Sequence, residues 1–231
     1  MTEQINEKPV LTESENGLCL KAGDLTLRPD FEDMIPRLRP SNLGGEIIVK
    51  AARFKNADCP LIAVDATAGL GEDSLLLAAA GFTVHMYERN PVISALLQDA
   101  LTRALSSEYE ILRNAAARMT LHREDSISAM KNLDFTPDLV LLDPMFPKRQ
   151  KSGLIKKKFQ LLQQLESPAE DEEALLDAAL SADPRRIVIK RPAKGPYLAG
   201  RKPSYSIKGG NTRCDCIILP SRSTSSRPAS L

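Results

Sequence analysis

Cysteine is scarce in this chain of 231 residues, and histidine is scarcer still. The two histidines, His85 and His122, lie inside strand-like apolar runs, where we expect buried or half-buried side chains rather than catalytic bases. The cysteines suit neither a disulfide framework nor a zinc site, because the one Cys-x-Cys pair has no second pair; they are Cys19, Cys59, Cys214 and Cys216. We therefore expect free thiols in a reducing, cytoplasmic compartment and no metal centre.

Long apolar runs are also missing from the sequence. No run approaches the roughly 18 residues that a membrane span requires. The first residues, "MTEQINEKPV", lack the basic-then-apolar pattern of a secretory signal. Apolar residues nevertheless make up 42% of the chain, enough for a folded core, and the net charge of +1 by itself indicates no class of partner. We expect a folded protein without a membrane segment.

The chain does contain a regular alternation of short apolar runs and helical patterns from residue 61 onward. Five runs read as strands: "LIAVDA", "FTVHMYE", "MTLHRED", "DLVLLD" and "RIVIKR". This alternation predicts an α/β fold with a doubly wound, mostly parallel, Rossmann-like sheet, closed by an antiparallel hairpin from "PSYSIKG" and "CDCIIL". We expect a small β-rich segment over 1–40, one main domain over 41–220 and a disordered tail over 221–231.

Ligands of such a sheet bind at the carboxyl ends of the strands, and the first strand ends in "VDATAGLGED". Asp65 closes the strand, while Gly69 and Gly71 allow a tight turn beside a ligand. The dinucleotide fingerprint needs a further glycine where Ser74 stands. On its own the turn is also typical of an ordinary strand-to-helix connection, which makes it a weak indication of a cofactor.

The next two strand ends add acidic and hydroxyl groups. Glu88 ends the second strand, nineteen residues after Gly69, where a carboxylate suits two ribose hydroxyls. Asp125 and Ser126 follow the third strand and could contact an adenine, although Asp-Ser is equally an ordinary helix N-cap. Together the three strand ends predict an adenosine-containing ligand.

The fourth strand end, "DPMFP", narrows the choice of reaction. An aryl amine is a poor nucleophile, and the Asp143 carboxylate could accept its hydrogen bond and steer its nitrogen toward a methyl sulfonium. Phe146 would give the base a face to stack on, and Pro144 would stiffen the loop. We therefore expect Asp143, Pro144 and Phe146 to form the catalytic seat of an amine methyltransferase.

A basic segment follows this motif directly. Residues 148–158 hold six cations and no acid: Lys148, Arg149, Lys151, Lys156, Lys157 and Lys158. A charge run is usually only a solvated surface. Beside a base pocket, however, it indicates contact with RNA phosphates, and Lys190 and Arg191 at the fifth strand end are predicted to share that role.

The segments "VDATAGLGED", "YERNP", "LLDPMFPKRQKSGLIKKK" and "VIKRP" resemble the ribosomal small subunit methyltransferase J family. The resemblance spans roughly residues 42–219, and Met145 stands where the broader amine-methyltransferase motif has a second proline. It implies a methyltransferase fold, S-adenosylmethionine (SAM) as cofactor and methylation of guanine N2 in 16S rRNA of the small ribosomal subunit. It further implies that these residues contact the cofactor or line the reaction site: Glu72, Asp73, Glu88, Arg89, Asp125, Ser126 and Asp143.

Other functions remain open from the residues alone. The acid-proline-aromatic motif also serves methylation of adenine N6 or of a protein glutamine. A nicotinamide-dependent oxidoreductase is disfavoured by the missing third glycine and by the lack of a Tyr-x-x-x-Lys pair. A non-catalytic RNA-binding protein is disfavoured by the intact Asp143 and Phe146.

Overall fold

A computed structural model describes residues 8–55, 60–144, 161, 165 and 171–220. The N-terminal part forms a three-stranded antiparallel sheet in the order β1-β2-β3, followed by a short 3-10 helix over Phe31–Met34. The strands are β1 Val10–Ser14, β2 Gly17–Ala22 and β3 Leu25–Leu27. Leu20, Ala22 and Leu27 pack with Leu96 of the main domain, so this small sheet shares a core with the rest of the chain.

The main domain is a seven-stranded sheet with helices between its strands, which confirms the predicted doubly wound α/β fold. Its strands are β4 Ile62–Asp65, β5 Thr83–Tyr87, β6 Met119–His122, β7 Leu139–Leu142, β8 Arg186–Pro192, β9 Tyr205–Gly209 and β10 Thr212–Ile218. The helices are α1 Ile35–Leu38, α2 Pro40–Leu43, α3 Ile47–Ala52, α4 Glu72–Ala79, α5 Pro91–Leu105, α6 Glu110–Ala116, α7 Ser126–Met130 and α8 Glu172–Ser181.

The strand order is β6-β5-β4-β7-β8-β10-β9. Strands β4 to β8 pair in parallel, and β10 pairs antiparallel with both β8 and β9, which confirms the predicted closing hairpin. The chain runs outward from β4 to β6 and then returns to β7 on the other side of β4. That reversal places a crevice between the carboxyl ends of β4 and β7.

Local sequence explains most of these elements. Strand β7 is buried at every position, as expected of a central parallel strand, and α5 begins where Asn90 accepts hydrogen bonds from the backbone N–H groups of Val92 and Ile93. Gly44 and Gly45 lie between α2 and α3 and separate the two short helices. Helix α8 begins after Asp171, whose side chain accepts from the Ala174 N–H.

Some predictions concern residues outside the described part of the chain, including the tail over 221–231 and Cys59. The histidines are as expected: His85 and His122 are half-buried on neighbouring strands, with 3.1 Å between His85 Nδ1 and His122 Nε2. Among the helices that the structure describes, none is long and apolar enough to cross a membrane.

Gly71, the residue before α4, lies between Leu97 of the main domain and Phe31 of the 3-10 helix. Its φ is +78°, and a Cβ added there would lie 2.6 Å from Leu97 Cδ1 and 3.1 Å from Phe31 Cζ. Gly69 also has a positive φ, +53°, but an added Cβ would meet nothing closer than the Thr67 carbonyl oxygen at 3.9 Å. The two glycines therefore separate backbone strain from steric overlap.

We predict that Gly69→Ala lowers the free energy of unfolding by about 1–2 kcal/mol, the cost of a left-handed alanine. Gly71→Ala adds overpacking against Leu97 and Phe31, about 1–3 kcal/mol more. Urea denaturation of both variants measures the difference. Equal losses would show that the core yields around Gly71 without cost.

Candidate active site

A cleft of about 810 Å³ opens at the carboxyl ends of β4, β5, β6 and β7. Its walls include most of the residues that the sequence singled out as ligand-binding: Asp65, Gly69, Gly71, Glu72, Asp73, Glu88, Arg89, Asp125, Ser126, Asp143 and Pro144. Lys190, Tyr87, Ile93, Asp171 and Leu175 also line it. The volume lies in the range of small-molecule and cofactor sites.

The glycine-rich turn after β4 is held from below by Asp65. One carboxylate oxygen accepts from the Thr67 N–H at 3.1 Å and the other from the Ser74 hydroxyl at 2.6 Å. Asp65 is 2% exposed, and this burial raises its pKa to about 7, although both hydrogen bonds act in the opposite direction. Asp65 therefore braces the turn with both of its oxygens.

Glu88 holds the same turn from the neighbouring strand. Its two oxygens accept from the N–H groups of Gly69 at 3.0 Å and Asn90 at 2.8 Å. Burial raises the pKa of this carboxyl, and the two backbone donors oppose the rise. Each carboxylate oxygen can accept more than one hydrogen bond, so Glu88 keeps acceptor capacity toward the cleft.

At the end of β6, Asp125 caps α7. Its Oδ2 atom accepts from the Ser128 N–H and the Ser128 hydroxyl, both at 2.9 Å, so the alternative role of a helix N-cap is present. Ser126 is buried beside it, and both residues line the cleft. The position therefore combines capping with a place on the cleft wall.

Three charged side chains meet where β7 and β8 end. The Lys190 ammonium lies 2.5 Å from Asp73 Oδ2 and 3.0 Å from Asp143 Oδ2. Burial raises the pKa of Asp143 and the Lys190 charge opposes that rise; burial in turn lowers the pKa of Lys190, but the two carboxylates outweigh it and raise it overall. One cation thus holds two acids at the centre of the cleft.

The end of β7 is also tied to the glycine-rich turn. The Asp143 N–H donates to the Thr67 hydroxyl at 2.6 Å, while Thr67 N–H binds Asp65. Pro144, buried directly after Asp143, fixes the backbone that follows. Sequence reasoning missed Thr67, although a hydroxyl residue two positions after the Asp65 strand end was available as a signal.

Comparison with known proteins agrees with this geometry. A family model described as "Putative SAM-dependent methyltransferase" matches residues 3–218. The ribosomal RNA small subunit methyltransferase J of Tolumonas auensis is 40% identical over 226 residues, which cover 95% of this chain and 90% of that protein. The protein of the same name from Pseudoalteromonas atlantica is 40% identical over 223 residues, covering 91% and 85%.

The crystal structure of a SAM-dependent methyltransferase from Neisseria gonorrhoeae superimposes with a TM-score of 0.74 at 32% identity, covering 94% of this chain and 86% of that one. The chain belongs to the ribosomal RNA small subunit methyltransferase J family. It is a SAM-dependent methyltransferase, as the resemblance of the sequence motifs implied.

Membership in the methyltransferase J family does not assign a role to each residue, so the predicted cofactor contacts remain predictions. Asp65, which was also predicted to bind the cofactor, lines the cleft and accepts hydrogen bonds from the turn with both of its oxygens. Glu72 is an exposed residue at the cleft edge, with 3.7 Å between its Oε2 atom and Arg37 Nη1. Arg89 is also exposed at the cleft edge. Phe146 and the predicted RNA-binding cations lie outside the described residues; these cations are Lys148, Arg149, Lys151, Lys156, Lys157 and Lys158.

The two predicted RNA contacts on β8 need correction. Lys190 faces inward to Asp73 and Asp143 instead of outward to a phosphate. Arg191 is buried on the opposite face, where its guanidinium binds Glu172 at 3.0 Å and the Pro196 carbonyl at 3.1 Å. Consecutive strand residues alternate between the faces of a sheet, so Lys190 lies in the cleft, where 29% of its side chain is exposed, while Arg191 is buried on the other face.

We predict that Asp65→Asn changes how stability depends on pH. The folded pKa of Asp65, about 7, lies above its ordinary value of 3.8, so the folded protein binds the proton more tightly and loses stability as pH rises between these values. Asparagine can accept from Thr67 and donate to Ser74 without a charge. Urea midpoints of the cofactor-free enzyme from pH 5 to 8 should therefore fall less steeply in the variant; parallel curves would contradict this role.

Proposed function

We propose that this enzyme transfers a methyl group from SAM to the exocyclic N2 amine of a guanine in 16S rRNA, in the cytoplasm. The printed name of its relatives specifies ribosomal RNA of the small subunit. Guanine N2 as the target atom rests on the resemblance of the "DPMFP" block. The observation that supports the proposal most is the position of Asp143–Pro144 at the crevice between β4 and β7. Ligands of such a sheet bind at this crevice, and a carboxylate there can accept a hydrogen bond from an amine.

The cleft fits SAM in volume and in the chemistry of its walls. Glu88 would accept hydrogen bonds from the ribose hydroxyls, and Asp125 and Ser126 would contact the adenine. Asp73 and Lys190 would bind the oppositely charged groups of the methionine end, since a carboxylate and an ammonium are already side by side. When bound, SAM supplies an electrophilic methyl group on a sulfonium.

The protein's part in the reaction is to place the amine and to receive positive charge. The Asp143 carboxylate accepts a hydrogen bond from the guanine N2 amine and orients its lone pair toward the methyl carbon. As the N–C bond forms, the S–C electron pair stays on sulfur and the amine becomes cationic. It then gives a proton to water or to Asp143. Because base edges are stacked in RNA, the guanine must be extruded to reach this cleft.

The decisive experiment is transfer of a labelled methyl group to unmodified 16S rRNA and to 30S particles, followed by nucleoside analysis. We expect label in N2-methylguanosine and a loss of about 10²-fold or more in kcat for Asp143→Ala. Asp134→Ala, an exposed acid in the loop before β7, is the matched control and should remain active. Cofactor binding, measured separately, distinguishes a lost amine contact from a lost cofactor.

Label in another nucleoside would support RNA methyltransferase activity but reject guanine as the target base. Absence of label in both RNA forms, with cofactor binding intact, would reject the ribosomal substrate.

Lys190 gives a further prediction, a shift in pH dependence. Its charge opposes the raised pKa of Asp143, so Lys190→Met should raise that pKa further. If the ionised carboxylate is the active form, the acidic limb of the profile of kcat against pH moves to higher pH, and kcat of the variant recovers at alkaline pH. Lys131→Met, an exposed lysine at the end of α7, should leave the profile unchanged. A uniform loss of activity at every pH would assign Lys190 to cofactor binding alone.

A further inference from the structure

The last third of the chain contains a long segment of one charge sign. Between Asp183 and Asp215 there are nine cations and no acid: Arg185, Arg186, Lys190, Arg191, Lys194, Arg201, Lys202, Lys208 and Arg213. The chain as a whole carries a net charge of only +1, so this segment is strongly polarised. Its position along the chain differs from that of the predicted basic segment over 148–158.

Five of these cations have internal partners. Arg185 and Arg186 stack on Phe54, each with its guanidinium carbon 4.5 Å from the ring centroid. Lys190, Arg191 and Arg213 form ion pairs with Asp143, Glu172 and Asp215 respectively, so an acid partly neutralises each of these charges. The other four side chains are exposed and form no ion pair with any residue that the structure describes: Lys194, Arg201, Lys202 and Lys208.

Arg213 fixes the loop that carries the first of these exposed cations. Arg213 is 6% exposed, and its guanidinium donates to four backbone carbonyls, those of Pro192 at 2.9 Å, Ala193 at 3.2 Å, Gly195 at 2.8 Å and Pro196 at 3.2 Å. Its Nε atom binds Asp215. A buried cation that gathers carbonyl oxygens holds the loop in one shape and leaves the outward side chains pre-placed.

An aromatic ring lies among these cations. Tyr197 is 40% exposed, and its ring covers Arg213 with 5.1 Å between the guanidinium carbon and the centroid. The inner face is therefore engaged, while the outer side of the ring is open to solvent. Exposed tyrosine beside lysine and arginine is the combination that binds unpaired bases and phosphates together.

The loop adjoins the active-site cleft. Glu172, at the start of α8, accepts from Arg191 with one oxygen and from the Ala199 N–H with the other, at 3.1 Å. The preceding residue, Asp171, lines the cleft. Strand pairing places Lys208 opposite Arg213, which pairs on its other side with Arg191, at the same end of the sheet as the loop.

We propose that Lys194, Tyr197, Arg201, Lys202 and Lys208 form an RNA-contact surface, here termed the β8–β9 surface, which holds the RNA on the β8 side of the cleft. The cations bind backbone phosphates and Tyr197 stacks on an unpaired base next to the target nucleotide. This inference rests on the proposed function, since it supplies the substrate with a second point of contact. It also replaces the predicted contacts at Lys190 and Arg191.

The test compares two double variants with the same change in charge. Arg201→Ala/Lys202→Ala removes two cations of the β8–β9 surface. Arg118→Ala/Lys131→Ala removes one arginine and one lysine that are exposed before β6 and at the end of α7, away from the carboxyl ends of the strands. Affinity for a 16S rRNA fragment is measured by filter binding across a salt series, alongside cofactor binding and the KM and kcat for RNA.

We expect the first variant to bind RNA on the order of tenfold more weakly at physiological salt, with the slope of log K against log salt reduced by about 2. KM for RNA should rise while cofactor affinity stays constant. Tyr197→Leu, which keeps an apolar cover over Arg213, should weaken binding about fivefold or more through lost stacking. The control variant should match the wild type.

The outcomes separate this inference from the proposed function. If the wild type methylates RNA and both double variants bind alike, the β8–β9 surface is overturned and the proposed function stands. If the wild type neither binds nor methylates RNA, both fail. If Arg201→Ala/Lys202→Ala also loses cofactor binding, the surface acts through the fold and the inference is rejected.

Discussion

The active-site cleft depends on two buried carboxylates that are paired with neutral donors instead of cations. Asp65 and Glu88 together bind the N–H groups of Thr67, Gly69 and Asn90 and one serine hydroxyl. Burying a carboxylate is costly, which is why the pKa of each is raised, and hydrogen bonds to charged groups return about 1.5–3 kcal/mol each. These bonds fix the glycine-rich turn before any ligand arrives, so little backbone order remains to be gained on binding.

The same turn is joined to the end of β7 through Thr67, whose hydroxyl accepts from the Asp143 N–H. The side of the cleft suited to an adenosine and the side suited to an amine therefore share one hydrogen-bond network. Holding two reacting groups close together accelerates a transfer between them strongly only if their relative position is fixed. The Lys190 bridge between Asp73 and Asp143 adds a second connection, from α4 to β7 through β8.

Sequence patterns predicted the strands, the closing hairpin and the acids at each strand end, because burial and chain order determine those features. They could not predict which oxygens of Asp65 are already occupied, since Ser74 reaches it from the next helix turn. Nor could they assign Lys190 and Arg191. A run of adjacent cations suggests one surface, whereas the alternation of a strand sends Lys190 into the cleft and Arg191 to Glu172 on the other face. Helix α6 carried too short a pattern to be distinguished beforehand.

The charged side chains of this protein are therefore unevenly distributed in space, although the net charge of the chain is only +1. Lys190 and Arg191 on β8 and Arg213 on β10 are neutralised by acids, whereas the cations on the loop after β8 and on β9 are left to solvent. The Lys190 charge is balanced inside the cleft by Asp73 and Asp143. Exposed charge beside the cleft is available to RNA phosphates, whose contacts fix the register of a nucleic acid while contacts to the bases read its sequence. Methylation of one base in a folded RNA requires both kinds of contact, and in the proposed arrangement the β8–β9 surface supplies the phosphate contacts while Asp143 in the cleft contacts the base.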